Sequence, residues 1–226
     1  MWHFLFKSKH SEDQDFGEMR HKILSITWPA FIELVLSTLF GMVDMVMVGR
    51  LSPAGIAAIG LTNQPFMLLN AIFAAVNVGT TTLVAWNVGA QNLKKAASVA
   101  RQVLVVNLIL GILLSLLGIY FAYDIVAFMG GNEDTQDLGT IYFQIIAAGL
   151  VFQALTMAIT ASLRGAGETK LPMYYNLGAN FFNVFGNYVL IYGKLGFPQW
   201  GVAGAAVSTS VSRFLACSFA FYVLFG

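Results

Sequence analysis

Arg164-Gly165-Ala166-Gly167-Glu168-Thr169-Lys170-Leu171-Pro172-Met173 opens an apolar run that continues to Gly193 and carries Asn176, Asn180, Asn183 and Asn187. The four asparagines are spaced 4, 3 and 4 residues apart. At about 100° per residue they fall within a helical arc of roughly 60°. The remainder of the run is Tyr, Leu, Phe, Val, Ile, Ala and Gly. A polar stripe on an apolar helix that crosses a bilayer must face protein or water, because lipid tails satisfy no amide. Such amides can join neighbouring helices. Four in line are more than one joint needs, so the stripe reads as the wall of a polar cavity.

The rest of the chain fits that setting. Of its 226 residues, 58% are hydrophobic and only 10% are charged, and mean hydropathy is +0.73. A soluble domain carries about a quarter charged residues, so the expected class is all-α integral membrane protein. A net charge of +1 gives no reason to expect nucleic acid. Cys217 is the only cysteine, which excludes a disulfide framework or a cysteine metal site. No cleavable leader is apparent, since residues 1–22 mix charges with aromatics.

Residues 1–22 read as a cytoplasmic N-terminal tail, and 23–226 as a six-helix transmembrane lobe. The expected spans are about 24–48, 56–86, 102–123, 140–162, 172–192 and 202–225. Pro29 is placed in the opening turn of the first span, and Pro65 as a kink in the second. Residues 89–101 read as a basic loop and 130–139 as an acidic, Gly-rich one. With the N-terminus inside, the inner segments hold nine Lys and Arg and the outer loops two, Arg50 and Lys194. The expected location is the plasma (inner) membrane. No Lys or Arg follows the sixth span before Gly226, so an incomplete sequence is expected.

Glu33 and Asp44 lie inside the first span, 11 residues apart, and share a helix face with Ser37. A rise of 1.5 Å per residue separates the two acids by about 16 Å, with Asp44 in the outer half. An ionised carboxylate is costly in a bilayer unless it is paired, protonated or bound to a cation, so each acid is a candidate switch for H⁺ or Na⁺. Glu33 can equally be structural, as a partner for Arg213 or for a backbone group. Asn63, Asn70 and Asn77 share one face of the second span; Gln153, Thr156 and Thr160 share one of the fourth. Thr can also bond its own helix backbone. Arg213 falls near mid-membrane in the sixth span and needs a partner or water. Signatures of enzymes are missing: no metal-protease helix, nucleophile elbow or phosphate loop occurs. No cofactor is expected beyond a coupling ion.

Four blocks resemble the multidrug and toxic compound extrusion family, the MATE transporters. The first is Pro29 to Gly49, ending Asp44-Met45-Val46-Met47-Val48-Gly49. The second is Gly79-Thr80-Thr81-Thr82-Leu83-Val84-Ala85-Trp86-Asn87-Val88-Gly89-Ala90. The third is Leu163 to Met173. The fourth is Asn183 to Asn187, followed by Leu190-Ile191-Tyr192-Gly193 and Gly201-Val202-Ala203-Gly204-Ala205-Ala206. Together they cover about residues 22–225.

The resemblance implies one lobe, the N-terminal one, of a twelve-helix transporter. It also implies export of small cationic or amphiphilic substrates in exchange for Na⁺ or H⁺, and a second six-helix lobe as partner. By resemblance, Asp44 matches the first-helix acid of the cation site, Asn183 and Asn187 the fifth-helix pair, and Thr209 a nearby sixth-helix threonine. Asn187 stands where some relatives have Asp, and Trp86 replaces the usual Gln. No firm metal site is implied, beyond Na⁺ at Asp44. Glu33, Ser37, Asn63, Asn70, Asn77, Gln153, Thr160, Asn176, Asn180 and Arg213 are candidates to line the cavity. A lipid-linked oligosaccharide flippase of related fold would need several cavity arginines for a pyrophosphate, and only Arg213 is available. A truncated lobe that does not transport is the other reading.

Overall fold

The computed structural model describes residues 2–50 and 52–225, and the side chains of 20–21, 23–50 and 52–224. Eight helices account for almost all of it: α1 Trp2–Gly49, α2 Pro53–Gly89, α3 Leu93–Tyr120, α4 Ala122–Phe128, α5 Gln136–Ala148, α6 Leu150–Gly165, α7 Lys170–Tyr192 and α8 Gly201–Phe225. Among the described residues there is no strand.

Several boundaries differ from the sequence expectation. α1 runs unbroken from Trp2, so the backbone of the expected tail continues the first helix. Pro29 accordingly sits inside α1 and not in its opening turn, at the cost of one backbone hydrogen bond. The basic loop is shorter than expected. Asn92 accepts from the Lys95 N–H at 3.1 Å and starts α3 at Leu93, so Lys94, Lys95 and Arg101 are helical. Ser52 caps α2 in the same way, accepting from the Gly55 N–H at 3.0 Å, with Pro53 in the first turn. The third expected span ends at Tyr120, and the short α4 follows after Phe121.

The expected fourth span is two helices, α5 and α6, bent by 44° at Gly149. Two side chains of α8 donate to carbonyls next to the bend. A bend frees carbonyls that lipid cannot satisfy. Ser210 Oγ donates to the Ile145 carbonyl at 2.9 Å, and Arg213 Nη1 donates to that of Ile146 at 3.5 Å.

Four helical segments are long and apolar enough to cross a membrane: Ile23–Gly49, Pro53–Gly89, Leu93–Tyr120 and Gly201–Leu224. The bent α5–α6 pair makes a fifth. α7 is not among them, because its four asparagines lower its hydropathy, so the fifth expected span rests on packing and not on apolarity. Large apolar side chains point outward, as with Ile109, Leu113 and Leu116 on α3, which suits lipid and not water. Small residues let the helices approach closely, with Ala58, Ala122, Ala154, Ala158, Ala206 and Ala220 fully buried, and Phe73, Phe143 and Leu150 are buried among them. At Gly204 a Cβ would stand 2.7 Å from the Leu190 carbonyl oxygen, so α8 meets α7 backbone to backbone. Gly193 ends α7 in the left-handed region at φ 64°, its N–H on the Val189 carbonyl.

Candidate functional site

α7 lies along α1, and its asparagine stripe makes the joint. Asn176 Nδ2 donates to Glu33 Oε1 at 2.8 Å, and Asn180 Nδ2 to Ser37 Oγ at 3.0 Å. Asn187 Nδ2 donates to Asp44 Oδ1. All three pairs are 143 residues apart in sequence, so the two helices run in the same direction in fixed register. Asn183 turns to α8 instead, donating to Thr209 Oγ1 at 3.1 Å, and its own carbonyl accepts from Ser208 Oγ at 2.8 Å. Further out, Tyr192 Oη donates to the Met47 carbonyl at 2.9 Å.

The same stripe borders a cavity of about 740 Å³. Glu33, Ser37, Asp44, Asn77, Gln153, Thr160, Asn176, Asn180, Asn183, Thr209 and Arg213 line it. Joining helices and lining a cavity are therefore not alternatives for Asn176, Asn180 and Asn183. Asn187 is fully buried behind them and touches the cavity only through Asp44. A smaller cavity of about 170 Å³ is bordered by Asn63 and Tyr142, and it shares Asp44, Thr209 and Arg213 with the large one. Asn70 lines neither: it donates to the Phe66 carbonyl at 2.9 Å and accepts from Gln153 Nε2. Asn77 donates to the Phe73 carbonyl at 2.7 Å and reaches the fully buried Asn107 Oδ1 at 3.4 Å. Thr160 shares a 2.6 Å hydrogen bond with the Tyr175 hydroxyl.

Glu33 is paired, but not with Arg213. Its partner is Arg164, whose Nη2 lies 2.9 Å from Oε2. Arg164 also lines the cavity, so Arg213 is not the only arginine there. Arg213 instead lies over the Phe66 ring, 4.7 Å from its centroid. Thr81, Thr82 and Ser212 complete the polar wall. The signal for Thr81 and Thr82 was present in the Thr80-Thr81-Thr82 run. Nothing in the sequence distinguishes Asn107 from any other amide on an apolar helix. Trp86 is largely exposed and lies outside both cavities. Among the described residues, no group of three or more His, Cys, Asp or Glu side chains is placed to hold a metal ion.

Residues 29–189 match the MatE family. The chain belongs to that family. It is 33% identical over 225 residues to a probable multidrug resistance protein NorM of Thermotoga maritima, a match covering 100% of this chain and 48% of that protein. It is 33% identical over 212 residues to the transporter YisQ of Bacillus subtilis, covering 92% and 46%. A crystal structure of MATE in the straight conformation is similar with a TM-score of 0.84 and 29% identity, over 90% of this chain and 44% of that one. The chain thus spans about half the length of its MATE relatives, as one lobe of the fold does. Those relatives are transporters and not enzymes.

Proposed function

We propose that this MATE lobe belongs to a cation-coupled efflux antiporter of the plasma membrane, with its N-terminus cytoplasmic. The transporter exports small cationic or amphiphilic compounds in exchange for Na⁺ or H⁺. The observation that carries the reading is a carboxylate, Asp44, at the wall of a polar cavity inside a bundle whose outer surface is apolar. Around it stand a buried amide, Asn187, and the Asn183–Thr209 pair of the neighbouring helices. Asn187 Oδ1 is buried without a hydrogen-bond partner, an acceptor oxygen of the kind a hard cation takes beside a carboxylate. Binding of H⁺ or Na⁺ at Asp44 removes or balances its charge, which changes how α1 packs against α7. A rocking motion against a second six-helix lobe then alternates access to the cavity. The names of two relatives, the NorM protein above and the multidrug resistance protein PmpM of Pseudomonas aeruginosa, support drugs as cargo.

The test is dye efflux from vesicles containing the full-length transporter, under an imposed Na⁺ or H⁺ gradient. Efflux that rises with one of the two gradients is expected. Efflux indifferent to both would defeat the reading.

A further inference from the structure

A second large cavity, of about 710 Å³, is bounded by α2, α3, α4 and α5. Of its thirteen lining residues, only Gln64 and Asp124 have polar side chains. On α2 the polar cavity takes Asn77, Val78, Thr81 and Thr82, whereas this groove takes Gln64, Pro65, Leu68 and Leu69. At about 100° per residue the two sets lie roughly 140° apart around the helix. A second lobe that closes the polar cavity therefore faces away from the groove. The short α4 forms one wall. Its Ala122 and Val126 are fully buried with Phe143, and its Ile125, Phe128 and Met129 line the groove. An apolar hollow left empty forfeits its dispersion contacts, so in a bilayer an apolar chain fills it.

Position and charge name that chain. Tyr120, Phe121, Tyr123 and Phe128 are all exposed at this end of the bundle, as aromatic side chains are at a bilayer–water boundary. Asp124 is exposed among them and lines the groove, and among the described residues no Lys or Arg lies within ion-pair distance of it. The loop after α4 adds Glu133, Asp134 and Asp137. This end therefore repels an anionic headgroup and attracts a cationic one. Gln64, also exposed, has a carboxamide able to donate to an ester or phosphate oxygen. Asp124 also stands in the first turn of α4, where a carboxylate suits the helix dipole, but that role is indifferent to what fills the groove.

We propose that the groove binds a phospholipid with a primary ammonium headgroup, its acyl chain between α2, α3 and α4 and its ammonium on Asp124. On the orientation proposed above, the lipid comes from the outer leaflet.

The test is native mass spectrometry of the purified full-length transporter in detergent, given equal amounts of dioleoyl phosphatidylethanolamine and dioleoyl phosphatidylglycerol. A phosphatidylethanolamine with a diazirine in its acyl chain, cross-linked and mapped by peptide, locates the bound chain. Wild type should retain the ethanolamine lipid over the glycerol lipid roughly fivefold, as one exposed ion pair allows. Cross-links should fall on the lining residues of α2, α3 and α4. Asp124→Asn should abolish the preference and still bind both lipids. Leu68→Trp, at an exposed position, should fill the groove and remove the cross-links there. Equal retention of the two lipids by wild type would overturn the proposal. So would cross-links that avoid the groove, as when the second lobe covers it, or that survive Leu68→Trp. Binding in detergent does not depend on membrane orientation or on transport. A transporter indifferent to both gradients but selective for the ammonium lipid would defeat the efflux reading and leave the lipid site standing.

Discussion

The Arg164 guanidinium sits 2.9 Å from the Glu33 carboxylate and ties the end of α6 to α1 across 131 residues of sequence. Asn176 holds the other carboxylate oxygen, so three helices meet on one side chain. The Glu33 side chain is 11% exposed and that of Arg164 is 37% exposed, so the pair lies between a surface bridge and a buried one. Removing one partner of a surface pair costs little, while removing one of a buried pair strands a charge. Arg164→Ala should therefore lower stability by about 1–2 kcal/mol. Adding Glu33→Gln should restore part of the loss, since the stranded carboxylate is gone. Thermal unfolding in detergent measures both. A double variant no more stable than Arg164→Ala would show that the pair is not the cause.

Asp44→Asn keeps the shape of the side chain and removes its charge and its titration. Gradient-driven dye efflux should be lost while the protein still accumulates in the membrane. Glu33→Gln should be milder, because Glu33 is engaged by Arg164 and Asn176. Efflux assays at matched protein levels compare the two. Coupled efflux near wild type in Asp44→Asn would remove that residue from the mechanism, and complete loss in Glu33→Gln alone would move the coupling site down the helix.

Topology can be read with cysteine labelling, because the single native thiol, Cys217, is buried. Glu133 and Lys95 are both exposed. Glu133→Cys should react with an impermeant maleimide from outside the cell, and Lys95→Cys only after the membrane is opened. Both reacting from the same side would refute the orientation drawn from the distribution of Lys and Arg.

The α7–α8 joint makes two glycines behave differently. Gly204→Ala forces a methyl against the Leu190 backbone, which cannot give way as a flexible side chain would. A loss of about 1–3 kcal/mol is expected, as for overpacking. At Gly178 a Cβ meets nothing within 4 Å, so Gly178→Ala should be neutral or slightly stabilising. Melting temperatures that fall equally for both would contradict this.

What could be read from sequence was whatever repeats along one helix. The α7 stripe and the Glu33–Ser37–Asp44 face follow from helical period alone, and the four motif blocks led to the family. What escaped depends on a second element. Arg164 was visible only as a positive charge next to a turn, because its acid lies 131 residues earlier. The bend at Gly149 carries no proline to announce it. Ser210 and Arg213, which donate to the carbonyls beside it, come 65 and 67 residues after their acceptors. The early start of α3 was hidden by its lysines, which read as a loop although Asn92 caps a helix there.

Three hydrogen bonds with the same sequence offset work like the teeth of a closed zip. Sliding α1 along α7 must clear all three teeth in one movement. Leaning one helix away from one end opens them singly, with the other teeth still engaged. The joint thus stiffens the pair against axial slip and leaves it compliant to peeling. Glu33 and Asp44 sit at opposite ends of the row, so a change of charge at either acid acts on the tooth that opens first.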